Sequence, residues 1–288
     1  MTGPVVVGLD GSPAGMTAAW WAAREAADRC LPLLLLHSWP TQPLDVPIPQ
    51  EAHSKRQYGR DVLRGAATTL LDRHPGLNLS TELVSEPAAE TLLERAENAS
   101  MLVLGSRGHG SVASFLLGTI SLHVLGLAPS PAVAVRAGDP AVEAGAQHPA
   151  AACRDEVVVG LRTAGPAAEP LLEFAFATAE PSGARVRVVR ALPVSAPLTA
   201  PDKHVGATER ERLAEVVTPW KEKFPGLTVT EHVITGPAAR VLLSASAHSR
   251  LTVVGRRRHA SRLTWKLGPV AHAVLHHVPC PVAVVPHD

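Results

Sequence analysis

The sequence predicts an α/β protein made of two copies of one parallel-sheet domain, and three observations carry that reading. Short β-rich apolar runs alternate with longer helix-patterned segments, the rhythm of parallel strands joined by helical crossovers. Two stretches repeat each other: Met101 to Gly110 leading on to Leu117-Gly-Thr-Ile-Ser121, and Leu251 to Arg258 leading on to Leu267-Gly-Pro269. In both, thirteen positions separate the strand-ending glycine from the later one. The repetition then extends over whole domains. Pro4-Val-Val-Val-Gly-Leu-Asp10 is answered by Glu156-Val-Val-Val-Gly-Leu-Arg162, and Pro131-Ala-Val-Ala-Val-Arg136 by Pro281-Val-Ala-Val-Val-Pro286.

In the first copy the pattern predicts strands over 5–9, 33–37, 77–84, 101–104 and 132–135, and helices over 13–29, 51–73, 88–98 and 118–127. Ser12 before Pro13 and Ser85 before Pro87 read as helix-start signals. Val5-Val-Val7 and Met101-Leu-Val-Leu104 are apolar without alternation, as strands buried on both faces should be. The second copy predicts strands over 157–161, 185–190, 227–233, 251–254 and 282–285, with helices between them. Residues 138–155 are rich in Ala, Gly and Pro without apolar periodicity and read as a linker. The predicted domains are therefore 1–137 and 156–288.

With 288 residues and 46% hydrophobic content the chain can fill two cores, and at 3% aromatic residues those cores should be aliphatic. A formal net charge of +1 gives no general electrostatic pull toward nucleic acid or anionic membrane. The three cysteines, Cys30, Cys153 and Cys280, are far apart and odd in number, which suits a reducing compartment better than a disulfide framework. No apolar run is long enough to cross a bilayer, and the chain starts directly on a strand without signal-peptide features, so a cytoplasmic location is expected.

An open parallel sheet binds ligands beyond the carboxyl ends of its strands. In copy one, Gly8-Leu-Asp-Gly-Ser12 and Gly105-Ser-Arg-Gly108 both lie at that edge. Gly105 and Gly108 would let a ligand approach the backbone, and Gly118-Thr119-Ile120-Ser121 opens a helix whose free N–H groups suit an anion. Arg107 is either a phosphate contact or an exposed arginine. Asp10 either accepts from ribose hydroxyls or caps the helix that starts near Pro13. A P-loop lysine and a dinucleotide G-x-G-x-x-G turn are both missing.

The spacing Gly105-x2-Gly108-x9-Gly118-Thr119, together with Val7-Gly-Leu-Asp-Gly-Ser12 and the Trp20-Trp-Ala22 helix, resembles the universal stress protein family in its tandem, two-domain form. That resemblance implies two Rossmann-like domains of the adenine nucleotide α-hydrolase type, each a five-stranded parallel sheet sandwiched by helices. It implies ATP, with Mg or Mn accompanying the phosphates. Adenine would be read at the end of strand two, here Ser38, and ribose at Asp10. Gly105, Gly108, Gly118, Thr119, Ile120 and Ser121 match the phosphate-contacting positions, with Arg107 inside the motif. Family members pair through the last strand, which implies an internal pseudo-dimer and allows a homodimer. The expected role is stress-response regulation through a protein partner; slow ATP hydrolysis and a nucleotide-free scaffold are the alternatives.

Copy two departs from the pattern. Arg162 stands where Asp10 does, Arg258 for Gly108 and Pro269 for Thr119, so an acceptor, a close backbone approach and an N–H donor are lost. Arg256-Arg-Arg258 with Arg262 and Lys266 is a basic cluster, read either as solvated surface or as a replacement anion site. His272, His276 and His277 find no carboxylate or cysteine in the pattern to complete a metal shell, and no HExxH is present. No nucleophile and base pair emerges around Ser106, His109, Ser111 or Ser114.

Overall fold

The structure is a computed structural model that describes residues 3–39, 49–106, 118–143, 154–193, 203–258 and 267–288, with the side chains of 49–52 and 203–205 excepted. The chain divides into two compact units, Met1–Glu143 and Ala144–Asp288.

Unit 1 runs β1 (Val5–Gly8), α1 (Pro13–Asp28), β2 (Leu33–Ser38), α2 (Pro49–Arg73), β3 (Leu79–Val84), α3 (Ala88–Ala96), β4 (Met101–Ser106), α4 (Thr119–Leu127), β5 (Ala132–Arg136) and a short α5 (Pro140–Glu143). Its strand order is β3-β2-β1-β4-β5. The paired strands are parallel, with Val5 opposite both Leu33 and Met101. From β1 the chain moves outward through β2 and β3, then crosses back to lay β4 on the other side of β1. The gap between the carboxyl ends of β1 and β4 is thus the topological switch point, where adjacent crossovers leave in opposite directions and open a crevice.

Val5, Val6, Val7, Met101, Leu102 and Val103 are fully buried, as two-sided burial requires. Against them α1 lays a face of small residues, Ala14, Ala18, Ala22 and Ala26, so its backbone can come close to the sheet. Ser12 caps α1 by accepting from the Gly15 amide at 3.2 Å, with Pro13 at the first turn. The other expected start signal, Ser85, caps nothing: α3 begins after Pro87 without a side-chain cap. Residues 140–143, within the segment read as linker, fold onto unit 1. Glu143 accepts from the Thr17 hydroxyl at 2.7 Å and from the Gly138 amide at 2.9 Å, and Arg73 donates to its carbonyl.

Unit 2 repeats the plan with β6 (Glu156–Leu161), α6 (Glu169–Ala179), β7 (Arg185–Leu192), α7 (Lys203–Lys223), β8 (Val229–Thr235), α8 (Ala238–Ala245), β9 (Leu251–Arg257), α9 (Pro269–His277) and β10 (Val282–His287). Its order, β10-β9-β6-β7-β8, is that of unit 1 counted from the opposite edge. Unit 2 departs from the expected aliphatic core: Phe174, Phe176 and Phe224 are buried, and Phe176 meets Phe224 at 5.5 Å and Trp220 at 5.7 Å. Low average aromatic content concealed this concentration in one half of the chain.

A Cβ added to Gly65 on α2 would have nothing within 4 Å, whereas a Cβ on Gly105 would lie 2.4 Å from the carbonyl carbon and oxygen of Ala14. The same change should therefore act with opposite signs. Gly65→Ala should stabilise by roughly 0.5–1 kcal/mol through helix propensity, and Gly105→Ala should destabilise by about 1–3 kcal/mol through overpacking. Urea midpoints at unchanged m would report both.

Candidate nucleotide site

Asp10 stands two residues past the end of β1, exposed at the sheet's carboxyl edge. Its Oδ1 accepts from the Ser12 amide at 2.9 Å and from the Ser12 hydroxyl at 2.5 Å. Ser12, not Asp10, is therefore the helix cap, and Asp10 acts one step back by orienting it. Oδ2 makes no hydrogen bond among the described residues and remains an acceptor facing solvent.

Gly105 is the penultimate residue of β4. The volume a side chain would fill there is taken by the first turn of α1, where Ala14 and the Gly15 amide sit. Packing thus accounts for this glycine, and the ligand approach that the sequence suggested is not needed to explain it. Its carbonyl accepts from Ser121 Oγ at 3.5 Å, tying the start of α4 to the end of β4. A Cβ on Gly15 would in turn lie 3.1 Å from Asp10 Oδ1. Asp10, the α1 start, Gly105 and the α4 start therefore form one continuous set of contacts around the switch point.

The two helix starts at this edge are not equivalent. In α1 the Ser12 hydroxyl already occupies the Gly15 donor. Gly118, the cap of α4, has no side chain to offer, and α4 starts without a side-chain cap bond. The amides of its first turn have no intrahelical acceptor and point outward, with the partial positive charge of the helix end behind them. Gly118, Thr119 and Ile120 are exposed there, Ile120 at 49%. Arg107 and Gly108 lie outside the described residues, as do His109, Ser111 and Ser114.

Ser38 ends β2, and its hydroxyl donates to the Glu86 carbonyl at 2.5 Å. Two neighbours escaped the sequence reading. His37 is buried, with Nδ1 2.8 Å from the Leu9 carbonyl. A carbonyl can only accept, so Nδ1 carries the hydrogen. Tyr58 of α2 forms a T-shaped ring pair with His37, with centroids 6.0 Å apart. It is the chain's single tyrosine, a compositional signal that a helix-patterned run gives no reason to single out.

At the matching edge of unit 2, the Arg162 carbonyl accepts from Arg190 Nη1 at 2.5 Å, and Arg190 pairs with Glu209 at 2.6 Å. A Cβ on Gly255 would meet the His287 ring at 2.9 Å. Arg256 is buried, and burial followed by the charge of Arg258 pushes its pKa down to about 10. Pro269 opens α9 without an N–H. Arg262 and Lys266 lie outside the described residues.

The description Universal stress protein family matches residues 1–136 and again 154–286. The chain belongs to the universal stress protein family. A Mycobacterium tuberculosis relative, universal stress protein Rv2005c, is 32% identical over 292 residues, covering 97% of this chain and 96% of its own. A Mycolicibacterium smegmatis universal stress protein is 28% identical over 294 residues, covering 98% and 96%. The crystal structure of a universal stress protein from Archaeoglobus fulgidus DSM 4304 superposes with a TM-score of 0.77 at 18% identity, covering 99% and 98% of the two chains, a likeness of fold. No helix of the described residues is long and apolar enough to cross a membrane.

Among the described residues, no group of three or more His, Cys, Asp or Glu side chains is placed to hold a metal ion. On α9, His272 and His276 bring their rings within 4.3 Å. Desolvation, then repulsion from His276 and His277, lowers the His272 pKa from its ordinary 6.5. The folded chain thus resists a proton that the unfolded chain accepts. Stability should be full above pH 6.5 and fall as pH drops below it. His272→Gln should flatten that fall in urea midpoints measured between pH 7.5 and 5, and an unchanged slope would contradict the assignment.

Proposed function

We propose that unit 1 of this universal stress protein binds an adenine nucleotide, ATP in the first place, and that unit 2 does not. The observation that carries the reading is the order of groups across the unit 1 edge. Ser38 and the His37–Tyr58 pair lie at the end of β2, Asp10 beyond β1, and the uncapped α4 start beside β4. Base, sugar and phosphate follow one another in the same order along a nucleotide. Asp10 Oδ2 would accept from the ribose hydroxyls, and the first-turn amides of α4 with Ser121 would receive phosphate oxygens. An Mg or Mn ion would arrive on the phosphates themselves, and Arg107 and Gly108 complete the proposed set. The role that fits is cytoplasmic stress-response regulation, in which nucleotide occupancy biases the surface offered to a protein partner.

Unit 2 keeps the fold but lacks the groups. The Arg162 side chain has no acceptor for hydroxyls, Arg190 and Glu209 pair at the position of the base, and Pro269 lacks one phosphate donor. Isothermal titration of the full chain with ATP should give one site per chain; two sites would refute the division. Asp10→Ala should weaken binding by about tenfold, the loss of a charged acceptor worth roughly 1.5–3 kcal/mol at most. Gly118→Ser should leave stability unchanged or slightly raised, because serine is a good cap, yet weaken ATP binding by occupying a donor meant for phosphate. Tighter or equal ATP binding by that variant would remove α4 from the site.

A further inference from the structure

We infer that Tyr58 is the base-recognition residue of the unit 1 site, stacking on the purine and so separating nucleotides from base-free polyphosphates; this rests on the nucleotide reading above. Tyr58 is 53% exposed, yet it is held in place. Its ring meets His37 in a T-shaped arrangement at an interplanar angle of 67°. Its hydroxyl lies so near Gly11 that a Cβ there would fall 2.1 Å from it, and Val62 closes the same corner at 3.1 Å from that Cβ. Gly11 has φ +80, a conformation other residues adopt at a cost, so the loop both requires glycine and leaves room for the tyrosine.

Three features set this ring apart from an ordinary surface side chain. It lies in the first half of α2, against Gly11, the residue that follows Asp10 in the chain. Beneath it His37 is buried and fixed by the Leu9 carbonyl, which denies the ring the freedom to sink inward. The Tyr58 hydroxyl makes no hydrogen bond among the described residues, so no described partner holds it at the rim. An immobilised aromatic with an open side is a stacking platform, and every nucleobase has a π-face to meet it. A phosphate gains nothing from such a surface. The anion-binding groups sit instead across the switch point at α4, which leaves the Tyr58 side of Asp10 for the base.

The test measures dissociation constants of ATP and of inorganic tripolyphosphate for the full chain. Tyr58→Ala should weaken ATP binding about tenfold or more, as base–aromatic stacking predicts, and leave tripolyphosphate unaffected; Tyr58→Phe should restore ATP binding. A loss shared equally by both ligands would mark a structural role and overturn the inference. Equal ATP affinity of the wild-type and Tyr58→Ala chains would overturn it while leaving the nucleotide site standing, and no ATP binding by the wild type would overturn both. Should Tyr58→Ala fail to fold, 3-fluorotyrosine labelling of the intact chain gives one fluorine resonance. ATP should shift it and tripolyphosphate should not; a resonance unmoved by saturating ATP would reject the inference.

Discussion

The contact on which the unit 1 site depends is the approach of the first turn of α1 to Gly105. Helices rarely come to a strand at backbone distance, because side chains intervene, and here both sides are cleared: α1 presents alanines and β4 a glycine. That closeness fixes where α1 starts, and hence where Ser12 and Asp10 stand. It also leaves the Gly105 carbonyl accessible to Ser121, which places the start of α4. A side chain at position 105 would lever α1 from the sheet and separate all these groups at once. The crevice at the switch point is therefore a consequence of packing before it is a feature of binding.

Unit 2 shows which features of the unit 1 edge the fold itself requires. It has the same strand order and the same glycine at the end of the fourth strand, and Gly255 is again enclosed, here by His287 and Leu171. What differs lies outside the core. Arg190 occupies the register position of His37, opposite the end of the first strand, and ties itself to the Arg162 carbonyl and Glu209. The largely buried charges of Arg190 and Glu209 compensate each other. These differences remove the carboxylate and one helix-start donor that a nucleotide would use.

Much of this was legible in the sequence. Strand and helix order followed from the alternation of apolar runs and helical periodicity, and two-sided burial of Val5–Val7 followed from their lack of alternation. Ser12 was readable as a cap because Pro13 follows it; Ser85 misled because the proline two residues on, not the serine, stands at the helix start. Gly105 was legible as special, but its packing against α1 was not, since a glycine kept for a helix and one kept for a ligand look alike in one chain. His37 and Tyr58 could not be found, because nothing local distinguishes a strand histidine or a helix tyrosine whose meaning arises only when α2 folds over β2. The short α5 was lost within an Ala-rich and Gly-rich stretch, its anchor being the long-range contact of Glu143 with Thr17.

The glycines themselves divide into two kinds, and the division bears on function. Gly105 and Gly255 are enclosed, so their recurrence in the two halves needs only the fold. Gly118 and Gly268 stand in open space with ordinary backbone angles, so neither crowding nor strain requires them. Serine or aspartate would cap either helix better, by filling the very donors that glycine leaves free. In unit 2 the next residue, Pro269, has already surrendered one of those donors. In unit 1 none is lost to a proline, and the helix start keeps its amides at the switch point of a parallel sheet, where the proposed nucleotide would bring its phosphates.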